Sequence, residues 1–536
     1  MSSSATSWPG PVSDVDHAAG IGRSIEGEAE LVWWLTYLVI VAGGLLIAAV
    51  AYLRPAQIYL GFSLACLAAL LLVWIRAPKL ALAATIVLSL VGDQITVYWF
   101  PFTKNLSSGE SLMYVAGAIS LSPFEVVVVA ALALTTYRNL AAGRLTRPAP
   151  LLRPMVQFTT ATLAGLALGL QRGGDVNAAL FEVRPVLYLP ALYLLVVNVC
   201  EDRHDYRRMV WAAVAGITVQ SVLSVEAIWS TPLAERAAPE SIMEHGSAIS
   251  MNLGFVLLVA TLVYNGRRPL TAAILLVAAV PMLIAYFASE RRAAVVALVA
   301  GMIVLAIVLR WRQPATLLKV APLIVLPSLI YVAAMWSSES SAAFPAQALK
   351  SVVSPGDVSD ADRGSSEYRE LENFDLHATI RSSPVTGIGF GHPFLRPAPL
   401  PDISQFEYHE FVPHNSLLWV WTKAGFVGFA TLLYLVARSL TMGAERMRRI
   451  PDGIDAVIAY AAVSFVVMFT IFMYVDIAWG PRNAMLLALC MGLCTAPLRD
   501  DPVSHRRPAV ESTATTSARA ASRVEDADDL ALGTSR

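Results

Sequence analysis

Apolar runs close to the length of a membrane span recur along nearly the whole chain. Short polar linkers separate them until one long polar stretch intervenes between 337 and 413. A helix needs about 20 apolar residues to cross the hydrocarbon core, and a lone segment in lipid satisfies its backbone only as a helix. By run length there are about fourteen candidate spans. They lie at 31–52, 57–76, 79–98, 122–139, 152–171, 184–200, 208–229, 247–265, 270–288, 292–310, 316–336, 414–438, 455–476 and 481–497. Inside the polar stretch, SSEYRELENFDLHATIRS (Ser365 to Ser382) is helix-compatible, with Tyr368, Leu371, Phe374 and Ala378 along one face. Pro384 and Gly387 stop it, and SPGDVSDADRGSS before it reads as a flexible polar linker.

Composition agrees with that pattern. Of 536 residues 56% are hydrophobic and 15% charged, against roughly 25% charged in soluble domains. The fold class is all-α and polytopic, with about 12–14 transmembrane helices and one large loop carrying a short amphipathic helix. The expected divisions are a polar N-terminal segment (1–30), an N-terminal helix bundle (31–336), the loop (337–413), C-terminal transmembrane helices (414–497) and a disordered tail (498–536). Residues 1–30 lack the basic and apolar regions of a cleavable signal peptide, so the first span reads as an uncleaved anchor. Cys66, Cys200, Cys490 and Cys494 lie in or beside apolar spans without metal-ligand spacing and read as small apolar filler.

Net charge, −1, says nothing about partners, but its distribution orients the chain. Alternate linkers carry Arg76 and Lys79; Arg138, Arg144, Arg147 and Arg153; Arg203, Arg207 and Arg208; Arg267 and Arg268; Arg310 and Arg312; and Arg438, Arg446, Arg448 and Arg449. The positive-inside rule places these in the cytoplasm, together with both termini, and puts the 337–413 loop outside. Arg291 and Arg292, in the tight SERR turn at 289–292, run against that trend at the outer face. Interfacial snorkelling is the bland reading, and the favoured one is a guanidinium pair placed to hold an anion such as phosphate.

The outer rim also gathers other candidate chemistry. GIGFG (Gly387, Gly389, Gly391) lacks the GK[ST] of a phosphate loop and reads as a turn that lets backbone approach a ligand or a helix. His414 opens the next span beside Asn415, where an imidazole is a candidate general base and Asn415 or Ser416 a helix cap. DAD at Asp360–Asp362 reads as a solvated acidic patch. Asp93, Glu125, Glu226 and Asp476 fall in or near apolar spans without forming an evident relay.

The order SERRAA, then YRELENFDLHATIRSSPVTGIGFG, then HNSLLWVWTKAGFVG resembles the O-antigen ligase and O-antigen polymerase superfamily of bacterial membrane proteins over about 285–435. The resemblance implies glycosyl transfer at the outer face of the cytoplasmic (inner) membrane, without a cofactor or a metal. The donor would be a glycan on undecaprenyl diphosphate and the acceptor a sugar hydroxyl of a glycan or glycolipid. Membrane lipids are the other expected partners, and nucleic acid is not one. Departure of the diphosphate builds negative charge that preorganised guanidinium groups stabilise. Arg291, Arg292 and Arg369 are the expected catalytic cations and His414 the base. Arg184, Arg381, Gly387, Gly389, Gly391 and Asn415 are the expected substrate-binding residues. A single in-line displacement would invert the anomeric centre. A repeat-unit polymerase of the same superfamily is the nearest alternative. A lipid-linked sugar flippase is the competing class, although its polar residues should lie at mid-membrane rather than at one rim.

Overall fold

The computed structural model describes residues 58–92, 97, 99–109, 113–114, 120–143, 146–147, 149–230, 243–264, 269–338, 340–354, 360–401 and 408–497. The expected span 31–52, the segment 1–30 and the tail 498–536 lie outside the described residues, as do Asp93, Arg144, Arg267 and Arg268.

Among the described residues there are fifteen α-helices and no strand. They are α1 (Ile58–Arg76), α2 (Pro78–Val91), α3 (Pro123–Ala141), α4 (Leu152–Gln171), α5 (Val176–Val199), α6 (Arg203–Ser230), α7 (His245–Tyr264) and α8 (Pro269–Ser289). They continue with α9 (Arg292–Arg312), α10 (Pro314–Met335), α11 (Phe344–Val353), α12 (Asp360–Ser382), α13 (Ser416–Arg449), α14 (Ile454–Val475) and α15 (Pro481–Thr495). Ten are long and apolar enough to cross a membrane, so the chain is a multi-pass membrane protein. Each remaining expected span from 57 onward coincides with a helix, although α2 stops at Val91 rather than 98.

Local chemistry sets the helix starts. Ser122 and Glu125 form a capping box ahead of α3, with Pro123 at its first turn. The Asp175 carboxylate accepts the Ala178 N–H at 2.7 Å and opens α5. Helix α14 is apolar on every side and is accordingly buried along nearly its whole length, against α7, α9, α13 and α15. Helix α10 is the opposite case: no residue of it is buried, which leaves its apolar surface to lipid.

The basic linkers meet at one end of the bundle and carry ion pairs there. Lys79 lies 2.9 Å from Glu201 and 2.6 Å from Asp205, Arg207 lies 2.8 Å from Asp455, and Arg312 lies 2.7 Å from Asp452. Partial burial opposes ionisation of Glu201, but Arg147 and Lys79 outweigh it and hold the carboxyl down at about 2. At the opposite end lie the α8–α9 turn, the starts of α5, α7, α13 and α15, and helix α12.

Two expectations within the polar stretch need correction. Helix α12 begins at Asp360, inside the expected linker, and α11 is an additional helix. The buried face of α12 is also not the apolar one: Leu371 is 37% and Phe374 56% exposed, while Glu372, Asp375, Leu376, Thr379 and Ile380 are buried. The reason is backbone hydrogen bonding. The loop after α12 has N–H groups to satisfy, and carboxylates and a hydroxyl on α12 accept them.

Candidate active site

The site begins with a broken helix. Gly425 adopts φ +67 and ψ −171 within α13, so the turn there leaves backbone groups without helical partners. The glycine-rich loop supplies them. Ile388 N–H donates to Thr422 O at 2.8 Å and Gly389 N–H to Lys423 O at 3.2 Å, while Phe426 N–H returns to Pro384 O at 3.0 Å. Phe390 N–H reaches Gly165 O in α4 at 3.3 Å, and Gly391 O accepts Asp175 N–H at 2.9 Å. GIGFG and KAGFVG are thus two halves of one backbone clasp. A Cβ on Gly389 would strike Gly169, and one on Gly425 would strike the Val385–Thr386 backbone. Both positions also have positive φ, so glycine alone fits.

A buried ion pair lies under the clasp. Lys423 Nζ is 2.6 Å from Glu182 Oε1, and both side chains are fully buried. Glu182 Oε2 accepts the Gly391 N–H at 2.6 Å, and the Trp419 indole N–H donates to Oε1 at 3.4 Å. Lys423 also donates to His392 O. The pair therefore ties α5, α13 and the glycine loop together. Sequence reasoning passed over both residues: Lys423 inside the expected span 414–438 was a signal that it needs a partner, whereas Glu182 falls before the expected span 184–200 and enters a helix only because α5 starts at Val176.

His414 stands beside this clasp, held from α12. Its backbone N–H donates to Glu372 Oε2 at 2.9 Å, and Nδ1 lies 3.3 Å from Oε1. Glu372 is 2% exposed. A carboxylate at Nδ1 favours the tautomer protonated there, which makes Nε2 the basic nitrogen. The Tyr368 ring packs edge-on against the imidazole at 5.5 Å. Burial and the neighbouring Glu372 carboxylate push the Tyr368 hydroxyl up to about 12. Asn415 caps α13, accepting the Leu418 N–H at 3.0 Å, and its Nδ2 donates to Asn373 at 2.9 Å. Asp375 accepts the Ala398 N–H at 2.9 Å, and burial raises its carboxyl above the usual range.

A cavity of about 230 Å³ enters the bundle near the segment carrying His414, lined by its neighbours Val412 and Ser416 rather than by the imidazole itself. Its lining includes Phe181, Glu182, Glu244, Trp419, Trp479, Arg482 and Asn483. Arg291, 9% exposed, donates to Met243 O at 3.0 Å and so pins the segment that carries Glu244. Arg482, in WGPRNA, donates to Ser247 Oγ and Gly92 O and lies 3.9 Å from Glu244. It is a buried guanidinium on this cavity that sequence reasoning did not single out.

The remaining expected residues scatter. Arg292 is half-buried at the first position of α9, and Arg369 is half-buried one turn before Glu372 on α12. Arg381 is exposed. Arg184 is occupied by Ser120 O and by Glu125, 3.8 Å away. The N–H groups of Gly387, Gly389 and Gly391 donate to Ser383 O, Lys423 O and Glu182 respectively.

The fold and this rim define a multi-pass helical membrane protein with a histidine–carboxylate pair at one end of the bundle. Residues 253–433 match the family model described as O-Antigen ligase. That match supports membership of the O-antigen ligase superfamily and an O-antigen ligase- or polymerase-type membrane enzyme. No curated protein matches the chain.

Proposed function

We propose that the protein is an inverting glycosyltransferase of the ligase type. It would transfer a glycan from a polyprenyl diphosphate to a sugar hydroxyl at the outer face of the cytoplasmic membrane. The observation that carries this reading is His414 held by Glu372 within the segment matching the family. His414 Nε2 takes the acceptor proton as the hydroxyl attacks the anomeric carbon. Glu372 keeps the ring oriented and stabilises the imidazolium that forms. The departing diphosphate gathers negative charge, and the cations assigned to offset it are Arg291, Arg292 and Arg369, which would have to converge on it from their separate positions. Arg291 is also the residue that holds the cavity wall in place.

In this reading the ion-paired basic end is cytoplasmic and the His414 end faces outward, as positive-inside bias requires. The exposed Leu371 and Phe374 on α12 suit contact with the membrane interface. The test is a size analysis of lipid-linked and surface glycans in a deletion strain complemented with wild type or His414→Ala. Long lipid-linked chains should accumulate in the deletion and in the mutant. Accumulation of single repeat units would instead identify a polymerase. A wild-type profile from His414→Ala would remove the histidine from the mechanism.

A further inference from the structure

We infer that the cavity lined by Glu182, Trp419 and Arg482 is a subsite for one sugar ring, recognised through Trp479 and Asn483. This rests on the glycosyl-transfer reading for its place in the reaction, and on separate observations for its ligand. The volume, about 230 Å³, falls below the roughly 300–1,000 Å³ of drug-sized sites and suits a single ring rather than a chain. Its lining alternates aromatic faces (Phe181, Trp419, Trp479) with polar groups. That combination matches the apolar C–H faces and the hydroxyl edge of a pyranose.

Two lining residues each carry a buried polar atom with no hydrogen-bond partner among the described residues: Asn483 Oδ1 and Trp479 Nε1. Asn483 is 3% exposed, and its Nδ2 donates to Ala478 O at 2.8 Å, which fixes Oδ1 as the atom left over. One is an acceptor and the other a donor. Buried polar groups without partners are costly, and a hydroxyl both donates and accepts, so the hydroxyls of a sugar ring offer partners to both. Gly246 makes room for this arrangement, because a Cβ there would strike the Asn483 amide.

The ring could belong to the donor glycan or to the acceptor, and the test separates them. Purified full-length protein in detergent is probed by saturation-transfer NMR with methyl glycosides of glucose, galactose, mannose and N-acetylglucosamine. Glycerol serves as the control. At least one glycoside should receive saturation, and Trp479→Phe should weaken its binding about three- to tenfold, the worth of one hydrogen bond. Trp479→Phe also trims a ring packed against Phe158 and Phe469, so its melting temperature is measured alongside and binding is compared at a temperature where both proteins are folded. Asn483→Asp is the second variant. Lipid-linked glycan extracted from the deletion strain then discriminates the sources: competition with the glycoside assigns the ring to the donor, and coexistence assigns it to the acceptor. Transfer equal to glycerol's, or a glycoside signal unmoved by both substitutions, overturns the subsite. Trp479-dependent binding in a protein whose deletion leaves glycans unchanged would keep the subsite and remove the glycosyl-transfer reading.

Discussion

Lys423→Met removes the positive half of the buried pair with Glu182 while keeping most of the side-chain volume. At 2.6 Å and an effective dielectric near 20, the lost attraction is about 6 kcal/mol. Relief of the lysine's own desolvation offsets part of it, leaving a net cost of about 3–5 kcal/mol, the usual result of stranding one buried charge. Glu182 keeps the Gly391 N–H and the Trp419 indole, so the damage should concentrate on the clasp between the glycine loop and α13. Adding Glu182→Gln removes the stranded charge but retains an acceptor for Gly391. The double variant should therefore recover most of the loss. The assay is thermal unfolding of purified protein in detergent for wild type, both single variants and the double variant. A strongly positive coupling energy is expected. Additive single-variant costs, or a Lys423→Met variant as stable as wild type, would refute the reasoning.

Three further outcomes follow from the same geometry. Gly389→Ala forces a side chain into Gly169 at φ +90; backbone strain alone is worth about 1–3 kcal/mol, so the yield of folded protein by size exclusion should fall sharply. Glu372→Gln should keep the fold but lower transfer by at least about tenfold, approaching the roughly 10²–10⁴-fold worth of a general base, as measured by initial rates with lipid-linked glycan. Asp375 has a folded carboxyl raised above its unfolded value, so its protonated form favours folding. Stability from this group is present below the unfolded pKa and is lost as pH rises through the folded one. Asp375→Asn keeps the acceptor for Ala398 and should raise the melting temperature at pH 7, with the advantage shrinking toward pH 4.

The helices were legible because span length is a property of contiguous apolar sequence, and every expected span from 57 onward has a helix. The buried face of α12 was not legible. Periodicity favoured Tyr368, Leu371, Phe374 and Ala378, but the loop's N–H groups draw Glu372, Asp375 and Thr379 inward. Likewise, the two glycine motifs were visible separately, while their exchange of backbone hydrogen bonds depends on a break at Gly425 that no local pattern announces. His414 stood out by residue type and position. Its partner Glu372 lies 42 residues earlier in sequence, and only tertiary packing shows the pair. Arg482 and Asn483 were hidden for the same reason, since α15 reads as an ordinary apolar span.

The most direct test of the account is transfer by the purified protein itself. Lipid-linked glycan from the deletion strain is incubated with acceptor and either wild type or His414→Ala, and release of polyprenyl diphosphate is followed. Wild type should release it with inversion at the anomeric carbon, and His414→Ala should be slower by about 10²–10⁴-fold. Release by His414→Ala at the wild-type rate, or retained configuration in the product, would contradict a histidine-based single displacement.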